Sequence, residues 1–220
     1  MISHVVFDCD GVLIDSEDIS MNIDIGLLAQ NGIMFTPAQM HHRFVGTTFE
    51  DMIKDIEAEF EKPLPADLSG QKDKAMLAAY HRELKPVPGV LAMLAGLGLP
   101  RSIGTNGPRH RALLALRMTG LEPFFDDRVT TYEDVVNGKP APDIYMLAAK
   151  RAGFAPARCV VVEDSVTGAT AALAAGCHVI GFVGVAHDQA TKAKALKELG
   201  VKHIINDMNL LTKTISLLKA

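Results

Sequence analysis

The sequence predicts a doubly wound, Rossmann-like α/β core with a parallel sheet, interrupted by a small inserted α-helical cap domain. Two observations predict the core: short β-branched apolar runs recur along the chain, and helix-length amphipathic segments separate them. A third predicts the insertion, because between about Ser16 and Lys85 the helical period continues without a convincing strand.

The first run, His4-Val5-Val6-Phe7, is short and apolar throughout, as a strand covered on both faces is. Ile19 to Gln30, Phe49 to Phe60 and Leu68 to Leu84 then carry helical spacing. Asp15-Ser16 punctuates one side of this interval, and Pro86-Val87-Pro88-Gly89 stiffens the other. The expected boundaries are residues 1–15 and 86–220 for the core and 16–85 for the helical cap, a lid on two linkers. Beyond it come a strand at Arg101-Ser102-Ile103-Gly104 and helices at Arg109 to Met118 and Ala141 to Ala152. A strand at Cys159-Val160-Val161-Val162 and a helix at Val166 to Ala175 follow. His178 to Val183 (strand), Asp188 to Leu199 (helix) and His203-Ile204-Ile205 (strand) complete the alternation. Glycine closely follows the helices ending near Ala152, Ala175 and Leu199, where it can adopt the left-handed conformation that stops a helix.

With 220 residues, 48% of them hydrophobic, the chain can bury one sizeable core or a core with a satellite domain. A formal net charge of -4, from 22 basic and 26 acidic residues in mixed order, offers no field for nucleic acid or anionic lipid, so neither is an expected partner. Met1 to Glu17 places acidic residues inside its apolar stretch and lacks a basic flank, so it reads as mature structure and not as a secretory signal. Cys9, Cys159 and Cys177 are odd in number and lack metal-ligand spacing, which suits reduced thiols in a cytoplasm. A monomer or weak homo-oligomer is expected.

The chemistry gathers at the ends of the strands. Phe7-Asp8-Cys9-Asp10-Gly11 delivers two carboxylates into the turn beyond the first strand, where open α/β sheets bind ligands. An ordinary acidic turn would also account for this segment taken alone. Glu163-Asp164 follows its strand in the same manner. If the two strands are neighbours, Asp8, Asp10, Glu163 and Asp164 converge, and their repulsion demands protons or a cation. An all-oxygen cluster selects a hard cation, with Mg2+ the best candidate. In Thr105-Asn106-Gly107-Pro108 a strand meets a hydroxyl, an amide and a helix start, features that suit an anion. Lys139 lies between a glycine and a proline, and an exposed surface lysine is its bland alternative. Within the insertion, His41-His42-Arg43-Phe44-Val45-Gly46-Thr47-Thr48 offers donors beside a glycine. Arg43, His42 and Thr47 are expected to contact substrate, unless they are only a solvated surface.

Together, Asp8-Cys9-Asp10-Gly11-Val12, Thr105-Asn106-Gly107, Lys139-Pro140 and Glu163-Asp164-Ser165 resemble the four motifs of the haloacid dehalogenase superfamily. The subgroup of β-phosphoglucomutase and sugar-phosphate phosphatases is similar in Gly11 to Glu17 and Gly138 to Asp143. The resemblance implies that Asp8 is the nucleophile and forms an aspartyl phosphate, and that Asp10 is general acid and base. It further implies that Mg2+ is held by Asp8, the Asp10 carbonyl and Asp164, with Glu163 in support. Thr105, the Asn106 backbone N-H and Lys139 would hold phosphoryl oxygens. The expected activity is hydrolysis of a small phosphorylated metabolite, a sugar or sugar-acid phosphate by preference. A hexose phosphate mutase is the leading alternative, and a non-catalytic phosphate-binding module the remote one.

Overall fold

The computed structural model describes residues 1–44 and 47–218. The chain divides into two compact units, one of Met1–Asp15 with Lys85–Ala220 and one of Ser16–Leu84.

In the first unit the strands are β1 (His4–Phe7), β2 (Ile14–Asp15), β3 (Lys85–Pro86), β4 (Arg101–Thr105), β5 (Val129–Thr131), β6 (Cys159–Glu163), β7 (His178–Phe182) and β8 (His203–Ile205). Six of them form one parallel sheet in the order β5-β4-β1-β6-β7-β8. β1 is therefore central, with β4 on one side and β6 on the other. Phe7 lies opposite Ile103 of β4 and Val162 of β6, so the carboxyl ends of the three strands reach the same level. That register fixes the place of everything that follows Phe7, Ile103 and Val162.

One face of the sheet presents Val6, Val161 and Val179 to an apolar layer that includes Tyr145 and Ala148 of the helix Asp143–Ala152 and Ala169 and Ala172 of the helix Val166–Ala174. Alanines let the second helix approach the strands closely, and each fully buried valine contributes about 1.5–3 kcal/mol relative to exposure. Strand side chains alternate between faces, so Phe7 points the other way, and its ring meets Phe125 edge-on at 5.9 Å.

β5 escapes sequence reading because it is three residues long and mostly threonine. The antiparallel pair β2·β3, with Ile14 opposite Pro86 and Asp15 opposite Lys85, joins segments seventy positions apart and has no local signal. This pairing is why Lys85, read from sequence as the last residue of the insertion, belongs to the first unit.

Numbered along the whole chain, the helices are α1 (Glu17–Gln30), α2 (Pro37–Phe44), α3 (Phe49–Phe60), α4 (Leu68–Glu83), α5 (Val90–Gly96), α6 (Arg109–Met118), α7 (Glu122–Phe125), α8 (Asp143–Ala152), α9 (Val166–Ala174), α10 (Gln189–Glu198) and α11 (Leu211–Leu217). α1 to α4 make up the second unit, around Leu28, Ile33, Met40, Met52, Ile56 and Leu68. Asp24 of α1 and Lys72 of α4 form an ion pair at 2.8 Å within it, and the Lys72 ammonium lies 4.3 Å from the centre of the Phe49 ring. No helix of the described residues is long and apolar enough to cross a membrane.

Candidate active site

Asp8 is the first residue past β1, and its N-H donates to the Val162 carbonyl at 3.0 Å, which ties it to β6. Glu163 ends β6 and is wholly buried. The ammonium of Lys139, from the loop before α8, bridges the two, donating to Asp8 Oδ1 at 2.6 Å and to Glu163 Oε1 at 2.7 Å. With only 4% of its side chain exposed, Lys139 is not the surface lysine that its loop position would also have allowed.

Three further donors fill the Glu163 carboxylate. Tyr145 O-H reaches Oε1 at 2.6 Å, and the N-H and hydroxyl of Ser165 reach Oε2 at 3.1 and 3.0 Å. Ser165 also caps α9 by accepting from Gly168 N-H at 3.0 Å. Gly168 is obligatory here, since a Cβ on it would overlap Glu163 Oε1. Nothing in the sequence marks Tyr145, which looks like one more apolar-face residue of an amphipathic helix.

Asp164 turns toward the same place. One oxygen from each of Asp8, Glu163 and Asp164 lies within 4.8 Å of the other two. Gly11, at φ +72°, makes room for this: a Cβ there would stand 2.5 Å from Asp164 Oδ2. Lys192 of α10 donates to that oxygen at 2.6 Å, a contact for which the sequence carried no signal.

Thr105 is buried at the end of β4, where its hydroxyl oxygen accepts from Gly107 N-H at 2.9 Å. The Asn106 side chain is engaged with the Lys139 backbone, donating to its carbonyl at 3.1 Å and accepting from its N-H at 2.8 Å. A Cβ on Gly107 would lie 3.3 Å from Thr105 Oγ1 and 3.6 Å from Asp10 Oδ2, so Asp10 faces the turn after β4. Asp8, Asp10, Thr105, Asn106, Lys139, Glu163 and Asp164 are thus brought together at the carboxyl ends of the central strands. Arg43, His42 and Thr47 belong to the other unit. Arg43 pairs with Glu59 and lies over the Phe35 and Phe44 rings there, with its Cζ 5.3 and 4.9 Å from their centres. His42 and Thr47 are exposed, and Val45 and Gly46 of the same segment lie outside the described residues.

Charge in this cluster is tightly constrained. Burial pushes the Asp8 carboxyl well above the usual range, and Glu163, Asp164 and Asp10 push the same way against the opposing pull of Lys139. Burial works against the Lys139 ammonium, but Asp8 and Glu163 together outweigh it and hold it charged beyond the ordinary lysine range. Glu163 is also penalised by burial, yet Lys139 and its hydrogen bonds bring it below the ordinary value. The Tyr145 hydroxyl, buried beside Glu163, is pushed far up and stays protonated. Burial is the largest cause of the upward pressure on Asp8 and the neighbouring carboxylates add to it, so a further cation beside them would be favoured. The donor chemistry fits a hard divalent cation: with Glu163 filled by donors, Asp8 and Asp164 are the two carboxylates able to ligate, and Mg2+ takes one or two such groups plus waters and phosphate.

A buried carboxylate at a strand end, a second acid two residues on, a hydroxyl and a buried lysine gathered in one crevice suit phosphoryl transfer. Residues 2–176 match the family model for haloacid dehalogenase-like hydrolases. This chain belongs to that family. The haloacid dehalogenase kinship expected from the sequence, and the α/β core expected with it, are borne out. Among haloacid dehalogenase-like relatives, the chain is 28% identical to the 6-phosphogluconate phosphatase of Escherichia coli K12, over 86% of each chain. It is 30% identical to the phosphorylated carbohydrates phosphatase of Thermotoga maritima, covering 94% of this chain and 95% of that one. The crystal structure of a conserved haloacid dehalogenase-like protein of unknown function from Agrobacterium tumefaciens superposes with a TM-score of 0.90, at 35% identity and 99% coverage of both chains.

Proposed function

We propose that this haloacid dehalogenase-like hydrolase is a magnesium-dependent phosphatase of small phosphorylated carbohydrates, sugar or sugar-acid phosphates, that works through an aspartyl phosphate on Asp8. The observation that carries the reading is the convergence of Asp8, Glu163 and Asp164 within 4.8 Å, with the Lys139 ammonium on Asp8. The carbohydrate preference is supported by relatives named as phosphatases of 6-phosphogluconate and of phosphorylated carbohydrates.

In the first step an oxygen of Asp8 attacks phosphorus as the bond to the leaving alkoxide breaks, and Asp10 donates its proton to that alkoxide. In the second, Asp10 takes a proton from water, which attacks the same phosphorus. Inorganic phosphate leaves and the Asp8 carboxylate is restored. The Thr105 hydroxyl, the Asn106 N-H and the third N-H of Lys139 hold the phosphoryl oxygens, and each such donor typically lowers the barrier by about 3–4 kcal/mol. Glu163, with Tyr145 and Ser165, fixes the Lys139 ammonium against Asp8. Asp8, Asp164 and the Asp10 carbonyl, with Glu163 behind them, would hold a magnesium ion, which would supply positive charge to offset repulsion between Asp8 and the phosphoryl group. Arg43, His42 and Thr47 take no step in this mechanism. Three buried, free cysteines, Cys9, Cys159 and Cys177, support a cytoplasmic home.

The test is release of inorganic phosphate from a panel of sugar phosphates, sugar-acid phosphates and nucleotides, with and without Mg2+. Hydrolysis of carbohydrate esters that needs Mg2+ and disappears in Asp8→Asn, together with its phosphoenzyme, is the expected result. Substantial turnover by Asp8→Asn, or isomerised sugar phosphate without phosphate release, refutes it.

A further inference from the structure

The acidic cluster has a second lysine that the reaction does not use. Lys192 lies in the first turn of α10, which is set by its N-cap: the Asp188 side chain accepts from Thr191 N-H, and the Asp188 carbonyl accepts from Lys192 N-H at 3.1 Å. Its ammonium meets Asp164 Oδ2 at 2.6 Å, with only 15% of the lysine side chain and 13% of the aspartate side chain exposed. The same oxygen is the one that Gly11 leaves room for. Asp164 Oδ2 is therefore bracketed between the turn after β1 and a cation delivered from α10, on a carboxylate that also belongs to the acidic cluster.

The distribution of charge gives this contact a meaning. Lys139 is committed to Asp8 and Glu163, and Lys192 brings a cation onto Asp164. Removing either from a largely buried position would leave a carboxylate facing other carboxylates without its cation. An ammonium on a carboxylate oxygen also opposes a divalent cation in two ways: it occupies lone pairs the metal needs, and it repels the metal's charge. A lysine stem is flexible, so the ammonium can swing away while α10 stays in place.

We infer that Lys192 is an internal counter-ion that competes with the divalent cation for Asp164, stabilising the metal-free protein and lowering its affinity for the metal. The inference rests on the reading of Asp164 as a metal ligand. It makes metal occupancy a property set jointly by the carboxylates and by one lysine outside the four motifs.

The experiment titrates Mn2+, as a probe of the Mg2+ site, into metal-free protein by calorimetry, for the unaltered chain and for Lys192→Met, Lys192→Gln, Lys192→Arg and Asp164→Asn. Lys192→Met and Lys192→Gln are expected to bind Mn2+ about three- to tenfold more tightly, while Lys192→Arg, which keeps the charge, stays within about twofold of the unaltered protein. The metal-free Lys192→Met protein is expected to melt at a lower temperature and to recover more of that loss on saturation with Mn2+. Unchanged or weaker Mn2+ binding in both neutral variants, or equal tightening in Lys192→Arg, overturns the inference alone. Absence of saturable binding in the unaltered protein, or binding indifferent to Asp164→Asn, overturns the phosphatase reading of the site and this inference with it.

Discussion

The side-chain amide of Asn106 holds the backbone of Lys139 at both its polar groups, donating to the carbonyl at 3.1 Å and accepting from the N-H at 2.8 Å. The turn after β4 thereby sets where the lysine of a separate loop begins, and so where its ammonium arrives on Asp8. Asn106→Ala should lower kcat on a small aryl phosphate by about tenfold to a hundredfold, since displacing a reacting group by roughly an ångström has that effect. Its stability should fall by only about 1–3 kcal/mol, the usual cost of leaving a buried polar group unpaired. Steady-state kinetics alongside urea unfolding checks both, and activity within twofold of the unaltered enzyme counts against the clamp.

Lys139→Met leaves Asp8 and Glu163 buried without their shared cation. A loss of about 3–5 kcal/mol in denaturant unfolding is expected, together with loss of turnover. Adding Glu163→Gln to that variant should restore part of the stability and none of the activity. A double variant no more stable than the single would show that charge pairing is not what stabilises this corner of the core.

Gly11→Ala combines a left-handed backbone at φ +72° with a methyl group placed 2.5 Å from Asp164 Oδ2. The backbone strain alone is worth about 1–3 kcal/mol, and Asp164 must shift to admit the methyl. The expected signature is a raised Mg2+ concentration for half-maximal activity, with substrate affinity at saturating Mg2+ affected much less.

At the opposite end of β1, His4 is 1% exposed, shares a 2.8 Å hydrogen bond between Nε2 and Ser102 Oγ, and stacks on Phe154 at 5.4 Å. Burial, helped by the Arg128 charge, lowers its pKa from 6.5 to about 4. A histidine held neutral in the fold stabilises it fully above the unfolded value, and that stability is lost as pH falls from about 6.5 towards 4. The loss should be on the order of 2–3 kcal/mol. His4→Gln should flatten that part of the stability profile, so parallel pH curves for the two proteins would dismiss His4 as its source.

The strands at His4, Arg101, Cys159, His178 and His203 were legible because a strand buried on both faces must be apolar along its whole length. Asp8, Thr105, Lys139 and Glu163 were legible because each sits at a strand end or beside a proline, where a polar residue stands out. What stayed hidden depends on pairing across distance. Val129–Thr131 has too few residues to show a pattern, and Ile14 finds Pro86 only after the whole insertion has been traversed. Tyr145 and Lys192 lie on helices whose composition is unremarked, so only the rotation of each helix reveals what its side chain meets. The donors in His41 to Thr48 stand out in the sequence as a cluster, and within their own unit Arg43 pairs with Glu59 and lies over two aromatic rings.

The short pairing of Asp15 with Lys85 brings together the two ends of everything between them. A segment whose first and last residues leave from one hydrogen-bonded rung can be lengthened, recast or exchanged without disturbing the six-stranded register beneath. Such an arrangement lets selection rewrite nearly seventy residues while the phosphoryl-transfer apparatus stays constant. Grafting the corresponding segment of a relative between Asp15 and Lys85 is therefore a natural way to ask how much of an enzyme's preference travels with it.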